Sequence, residues 1–380
     1  VEPDPYAPLG LDLGGLRLNP YVDAQAGYDS NPNRTKTGEG SALLRGEAGF
    51  SAQSDWSRHA LTARANATYF RYTSLPDASR PEGNLAANLR LDVTRDTFAN
   101  FELRGSLTTQ RQGSPDVPGA TANQPIVAGF GLTSGVTQRF GRLEAGVAFL
   151  ADRRIYGDAE LVGGGVARLS ADNYNAYGLR GRIAYEATPG IKPFIEAGGD
   201  IRRRDEPIDL SGYARDSAGF QARVGSTFEI TRTLTGEASG GYATRRYEDA
   251  RLPVLAGPTF DARLIWSATP LTTVTLRAGT EFNETTVANA AGSVSHRLSA
   301  DVSHALMRNF TIGGGVAFAD NSYKGVSIDE RTWVGSLRAE YSLNRNFVVR
   351  GSYAHEKLTS SQPGAGYGAH IFLLGLRMQP

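Results

Sequence analysis

The sequence predicts an all-β chain: a single transmembrane antiparallel up-and-down β-barrel of about eighteen strands, with short periplasmic turns and longer extracellular loops. Three observations carry this. Apolar and polar residues alternate with period two almost everywhere from Leu16 onward. The connections between alternating segments are short and long by turns. Aromatic residues on the apolar phase gather near segment ends rather than mid-segment.

The alternation is plain in Thr273–Asn283. Val274, Leu276, Ala278, Thr280 and Phe282 fall on one face; Thr273, Thr275, Arg277, Gly279, Glu281 and Asn283 fall on the other. Successive strand side chains point to opposite faces, so this is a strand with one apolar and one charged side. In chain order the same reading predicts strands at 16–30, 40–56, 58–73, 82–95, 97–113, 125–140, 142–157, 172–188 and 191–206. It continues at 214–230, 233–248, 256–269, 271–287, 292–306, 309–323, 328–343, 346–358 and 367–378. No segment keeps an i, i+3, i+4, i+7 pattern, so no ordinary helix is predicted. Many segments exceed the about five or six residues of a common strand, and a membrane-crossing strand needs about nine to eleven.

Tight connections fall near Ser57, Asp96, Gly141, Pro189–Gly190, Thr231–Arg232, Pro270, Met307–Arg308 and Asn344–Arg345. Between them lie 31–39, 74–81, 114–124, 158–171, 207–213, 249–255, 288–291, 324–327 and 359–366, crowded with Gly, Pro, Asn and Asp. Transmembrane barrels have this asymmetry, and an even strand number places both termini in the periplasm. A soluble sandwich has no reason to keep it. Trp56, Phe140, Tyr185, Phe228, Trp266, Phe310, Tyr341 and Phe347 lie near tight turns on the apolar phase. Tyr28, Tyr69, Tyr177, Phe220, Tyr242, Phe282, Phe318, Trp333 and Tyr353 hold that phase toward the long-loop ends. Two aromatic rows bounding an aliphatic band are what two membrane interfaces select, with outer-membrane lipid as the surrounding partner.

Composition removes other classes. The 40 Lys+Arg against 39 Asp+Glu leave a net charge of +1, without the basic excess of a nucleic-acid binder. No run approaches the ~18 apolar residues of a membrane helix. With no Cys there is no disulfide, thiolate metal site or cysteine nucleophile.

The N-terminal run Tyr6-Ala7-Pro8-Leu9-Gly10, then Gly14-Gly15-Leu16-Arg17-Leu18-Asn19-Pro20, then Gly27-Tyr28-Asp29-Ser30-Asn31-Pro32 resembles the opening of the putative β-barrel porin family 2. The resemblance is specific over these first thirty or so residues and rests on strand pattern elsewhere. It implies a Gram-negative outer-membrane protein, often associated with exopolysaccharide production, and so a polysaccharide substrate and a periplasmic export partner. It transfers no catalytic or binding residue. The end, Phe372 to Pro380, is similar to the C-terminal signal read by the barrel assembly machinery but lacks a terminal aromatic. Val1 reads as the start of a mature chain with its signal peptide cleaved. Residues 1–15, with three Pro, are expected to form a periplasmic tail or small plug, and 16–380 the barrel.

If apolar positions face lipid, the alternate phase lines the lumen. The pore-lining candidates are Arg64, Arg90, Arg104, Arg180, Arg182, Arg202, Arg204, Arg223, Arg263, Arg277, Arg338 and Arg350, with Glu102, Glu144, Glu196, Asp200, Glu237, Glu281 and Glu340. Only four of the 40 basic residues are Lys, so nearly all positive charge is the planar guanidinium fork that suits carboxylate, phosphate or sugar hydroxyls. Counting from the turns pairs Arg182 with Glu196, Arg180 with Asp200, and Glu340 with Arg350. It sets Arg90 against Arg104 and Arg263 against Arg277, which is unfavourable without a compensating anion or acid. Such pairs also stiffen a wall, so the lining reads first as structure and second as a surface that guides solute. Eighteen strands about 4.8 Å apart and tilted about 40° give a radius of about 18 Å, too wide for wall side chains to fill. Loops 114–124 and 158–171 are the candidates to fold inward; the second carries Gly163-Gly164-Gly165, which permits a tight fold, but reads first as a mobile external loop.

No catalysis, cofactor or metal is expected. His296, His304, His355 and His370 fall on the lipid phase, His59 lies at a turn, and GxSxG, HExxH and P-loop patterns are absent. His296 and His304 stand about 27 Å apart along one strand, too far to share an ion. The resemblance favours a channel for exopolysaccharide export, with a general diffusion porin for small hydrophilic solutes and a plugged structural or adhesive barrel as the alternatives.

Overall fold

The computed structural model describes residues 5–117, 121–231 and 233–380. Its barrel strands are Leu16–Asp29 (β1), Ser41–Ser54 (β2), Ala60–Tyr72 (β3), Arg80–Asp92 (β4), Thr97–Thr109 (β5), Ile126–Phe140 (β6), Leu143–Tyr156 (β7), Tyr174–Tyr185 (β8) and Ile191–Arg204 (β9). They continue as Ser217–Thr231 (β10), Leu234–Tyr247 (β11), Leu255–Thr269 (β12), Thr272–Asn283 (β13), Gly292–Met307 (β14), Phe310–Lys324 (β15), Asp329–Ser342 (β16), Phe347–Ser360 (β17) and Tyr367–Met378 (β18). Each pairs antiparallel with its chain neighbours, and β18 closes on β1 from Val22↔Met378 to Asp29↔Ile371. This is a closed eighteen-stranded antiparallel barrel, so no ladder edge is left for stray pairing over the closed region.

Every predicted strand is present. The largest differences are at the ends of β5 and β13, which stop at Thr109 and Asn283 where alternation extended them to 113 and 287. There the chain leaves the wall to fold over the mouth, and alternation continues briefly without a partner strand. Part of the turn expected at Thr231–Arg232 (Arg232), residues 1–4 of the N-terminal segment and residues 118–120 of loop 114–124 lie outside the described residues. At the Gly141–Arg142 turn, Gly141 takes φ +63°, the left-handed conformation a two-residue hairpin needs.

The side-chain distribution is inside out. Ile195 (64% exposed), Leu179 (61%) and Val224 (60%) stand on the outer surface, while Asp23 and Ser295, both on the inward phase, have no exposure. Apolar surface spread around a whole barrel is what hydrocarbon contact selects, and water would not. Conventional cores are confined to two clusters at the long-loop end: Tyr213, Tyr247, Leu252, Leu255, Ala291 and Val294, and Leu43, Tyr72 and Ala78.

Because β18 ends at Met378, the first residues of β1 extend past it. Leu11–Asp12 turns back and pairs with Leu18 and Arg17, covering part of that bare edge. Arg345 of the neighbouring tight turn donates to the Pro5 carbonyl at 2.8 Å. Described residues 5–15 thus lie against the tight-turn end.

Register corrects one expectation and refines another. Arg104 faces Ala86 and Arg90 faces Asn100, so these two arginines are not opposed. The connection 93–96 is longer than a two-residue turn, and that offset shifts the pairing. Arg182 does face Glu196, but Arg180 faces Gly198 and Asp200 faces Gly178. Arg263 faces Arg277 and Glu340 faces Arg350, as counted from the turns.

Candidate functional site

All nineteen pore-lining candidates fall on the inward phase, and most are tied into ion-pair networks. The seam where the barrel closes holds the densest. Asp23 on β1 accepts from Arg350 at 2.5 Å, lies 3.4 Å from Arg377 and 3.9 Å from Arg45. Beside it Glu47 accepts from Arg45, from the Tyr21 hydroxyl at 2.7 Å and from Thr68 at 3.0 Å. Arg350 also donates to Glu340 at 2.9 Å.

A second network centres on Glu196, only 3% exposed, which accepts from Arg223 at 2.9 Å and has Arg182 and Arg180 at 3.8 and 3.9 Å. Arg182 grips Glu237 with both nitrogens, at 3.1 and 2.8 Å, while its guanidinium covers the Phe194 ring. Higher on the same wall, Asp200 takes a two-pronged bond from Arg245 at 2.7 and 2.6 Å. Arg202 and Arg204 share Glu284. Elsewhere Arg104 lies 3.4 Å from Asp152 and 3.6 Å from Glu102, Glu144 pairs with Arg139, Glu281 with Arg297, and Arg90 with Asp92. Arg338 clamps Asp301 at 2.8 and 2.7 Å.

Lumen glycines make room for these forks. A Cβ on Gly313 would stand 2.6 Å from Arg338 Nε, and one on Gly219 2.6 Å from Arg245 Nη2. Arg64, Arg263 and Arg277 differ from the rest: each is exposed to the lumen with neither hydrogen bond nor ion pair to the described residues, although the charge of Arg277 acts on Asp301.

The described residues 110–117 and 121–125 of the connection from β5 to β6 lie over the mouth at the long-loop end. In an eighteen-stranded ring the strand nine places from β5 is β14, and the loop docks on that side. Asp116 accepts from the Thr285 hydroxyl, the Thr286 amide at 3.0 Å and the Tyr323 hydroxyl at 3.1 Å. Arg111 donates to Glu330 on β16 at 2.8 Å, and Gln124 to the Pro32 carbonyl at 3.3 Å.

The connection after β7 backs it up. Ala159–Glu160 and Val166–Ala167 form a small ribbon, the Ala122 amide donates to the Glu160 carbonyl at 2.7 Å, and the Gly163–Gly165 tip is exposed with φ between 93° and 99°. Arg215, fully buried, joins Asp209 to the Ala290 and Val287 carbonyls and so ties loop 205–216 to 284–291. The described residues of 114–124 thus reach across the mouth, while the ribbon of 158–171 packs on residues 121–123 with its glycine tip exposed. Asp23, Asp116, Asp172, Arg215 and Glu284 were not singled out from sequence. Asp23 sits on the charged phase of the first strand and could have been; Asp116 and Arg215 lie in loops where no periodicity marks them.

Burial pushes the Asp172 carboxyl up to about 6 despite Arg204 at 3.1 Å, and the charges of Asp116 and Asp209 add to the rise. A raised carboxyl pKa means that the folded loops hold a proton an unfolded chain releases. The resulting stabilisation is fully present below about pH 4 and lost as pH rises through about 6. Loop closure should therefore tighten between pH 7.5 and 5, read as a falling conductance. Asp172→Asn should flatten that step; an unchanged step would assign it to another group.

The expected interface aromatics stand on the outer face. Trp56, Phe140, Tyr185, Trp266, Tyr341, Phe347 and Trp333 are exposed; Phe228 is half-buried, as is Phe310 against the Tyr341 ring. His296, His304, His355 and His370 also face outward, His296 stacked on Phe260 and His355 on His370. Among the described residues no group of three or more His, Asp or Glu is placed to hold a metal ion.

Comparison with solved structures finds distant likenesses. The siderophore receptor PiuA from Acinetobacter baumannii is 10% identical with a TM-score of 0.48, over 98% of this chain and 82% of that one. OccAB4 from the same species is 12% identical with a TM-score of 0.44, over 96% and 98%. OccK3 (OpdO) from Pseudomonas aeruginosa is 12% identical with a TM-score of 0.43, over 95% and 96%. Among curated proteins no relative matches the chain. A family model does, over residues 4–380, and it describes channel-like barrels rather than enzymes. With its closed barrel, charged lumen and inward loop, the chain belongs to the family Putative beta-barrel porin 2 and is an outer-membrane, porin-like β-barrel channel.

Proposed function

We propose that the protein is a constricted diffusion channel for small hydrophilic solutes, set in the outer membrane with its tight turns and both termini toward the periplasm. The observation that carries this is residues 110–117 of the β5–β6 loop, held across the mouth by Asp116 and Arg111. A loop bonded to the opposite wall divides a bore of about 18 Å radius into narrower passages. Recesses remain in the lumen wall, one of about 610 Å³ whose lining includes Arg104, Asp152, Arg154, Asp200, Arg202 and Arg245, a size that holds a small solute.

Exopolysaccharide export with a periplasmic partner is the second reading. It is favoured by the N-terminal hairpin, where Leu9 (66% exposed) and Leu13 (59%) offer an apolar docking surface at the tight-turn end. That reading requires loop 110–125 to leave the mouth.

Single-channel conductance in a planar bilayer, with an acidic polysaccharide added, separates the readings. Small steady steps indifferent to the polysaccharide are expected. Large steps that it interrupts would favour export, and silent membranes from a heat-modifiable folded barrel would favour a plugged structural barrel.

A further inference from the structure

We propose that Arg263 and Arg277 form an oxyanion-binding subsite in the channel wall, for solutes bearing a carboxylate or phosphate. It deepens the channel reading and rests on it for its physiological meaning. Arg263 on β12 and Arg277 on β13 are direct cross-strand partners, both on the lumen face and both exposed. Like charges opposed in a ladder repel, and a chain keeps them only where something compensates.

Three of the nearby acids are paired with other arginines, and the fourth, Asp261, is exposed. Glu237 faces Arg263 from β11, yet both its oxygens are held by Arg182 and one also by Thr227. Asp301, diagonal to Arg277 on β14, spends both oxygens on Arg338. Asp261, two residues along β12, lies 4.0 Å from Arg223, and Glu281 pairs with Arg297 at 3.4 Å. Two guanidinium forks are therefore left facing the lumen with no carboxylate of the described residues in hydrogen-bond range: Glu237 and Asp301 are bonded to other arginines, and Asp261 stands exposed without a hydrogen bond.

The surrounding wall is built low. Ser299 faces Arg277 from the other side, Gly279 follows it on β13 and Ala317 faces Ser299. With Asp261, Glu281 and Arg297 they line a recess of about 460 Å³ beside Arg277, which Arg263 does not line. An oxyanion seated between the two forks, at the edge of this recess and away from its acids, would take N–H donors from both and would neutralise the repulsion. Arg64 lacks this setting: it faces Ser51 and Ala86 with no second arginine opposite.

The test measures binding and conduction separately on the folded full-length barrel. Sodium succinate and sodium phosphate are titrated against the detergent-solubilised protein by calorimetry, at constant ionic strength in sodium chloride. Saturable binding of at least one is expected, weakened tenfold or more in Arg263→Gln/Arg277→Gln and unchanged in Arg64→Gln. Which salt binds tells carboxylate from phosphate. In the bilayer the same salt should produce brief blockades that the double variant loses. Because the two arginines lack protein partners, the double variant should fold and melt no lower than the parent in low salt. Absence of saturable binding, or binding equal in parent and double variant, overturns the subsite. Binding in a barrel that conducts nothing would uphold the subsite and sink the channel reading instead.

Discussion

Replacing Asp116 by Ala should raise single-channel conductance severalfold and replace steady steps with a wider, noisier open level. The carboxylate accepts from Thr285, Thr286 and Tyr323 on the far side of the mouth. Hydrogen bonds to a charged group contribute about 1.5–3 kcal/mol each, and about 1.4 kcal/mol is a tenfold shift in an equilibrium. Losing all three therefore moves the loop from closed to largely released, even after water takes up part of the loss. The wall is not touched, so heat-modifiability on a gel should persist. Asp116→Asn, which can still accept through its amide oxygen, should fall between parent and Ala. A conductance equal to the parent's would mean that Arg111 and the ribbon after β7 hold the loop without Asp116.

The second large effect belongs to the closing seam. Asp23 has no solvent exposure, faces Arg377 across the β1–β18 pair and accepts from Arg350. Asp23→Ala leaves Arg350 and Arg377 close together with one fewer carboxylate, and breaking a buried pair by removing one partner costs about 3–5 kcal/mol. The barrel should then lose its heat-resistant gel mobility at a clearly lower temperature and unfold earlier in urea. Asp261→Ala provides the contrast. Asp261 is 62% exposed with its nearest cation 4.0 Å away, so its loss should move stability by less than about 0.5 kcal/mol. An Asp23 variant as stable as the Asp261 variant would show that Glu47 alone can neutralise the seam.

The wall was legible because a spanning strand repeats one physical constraint at every residue. Val274, Leu276 and Ala278 must meet hydrocarbon while Thr275, Arg277 and Gly279 meet water, so period two runs the length of each strand, and the side each residue faces follows from its parity. The tight turns were legible for a related reason: Gly141 and Pro189–Gly190 interrupt the alternation where few chain conformations reverse a strand. Parity says which face a charge is on but not which charge it meets. Pairing also needs register, and the longer 93–96 connection offset Arg90 from Arg104.

What the sequence by itself determined, then, is an inside-out barrel of eighteen strands with an arginine-rich lumen, since parity and turn chemistry are local. Only the tertiary structure decided that residues 110–117 bridge the mouth to Thr285, Thr286 and Tyr323, that Asp23 sits at the seam, and that Glu237 and Asp301 are spent on Arg182 and Arg338. Those contacts join residues 37 to 354 positions apart, brought together by ring closure and loop docking. No local periodicity encodes which acid is left for which arginine.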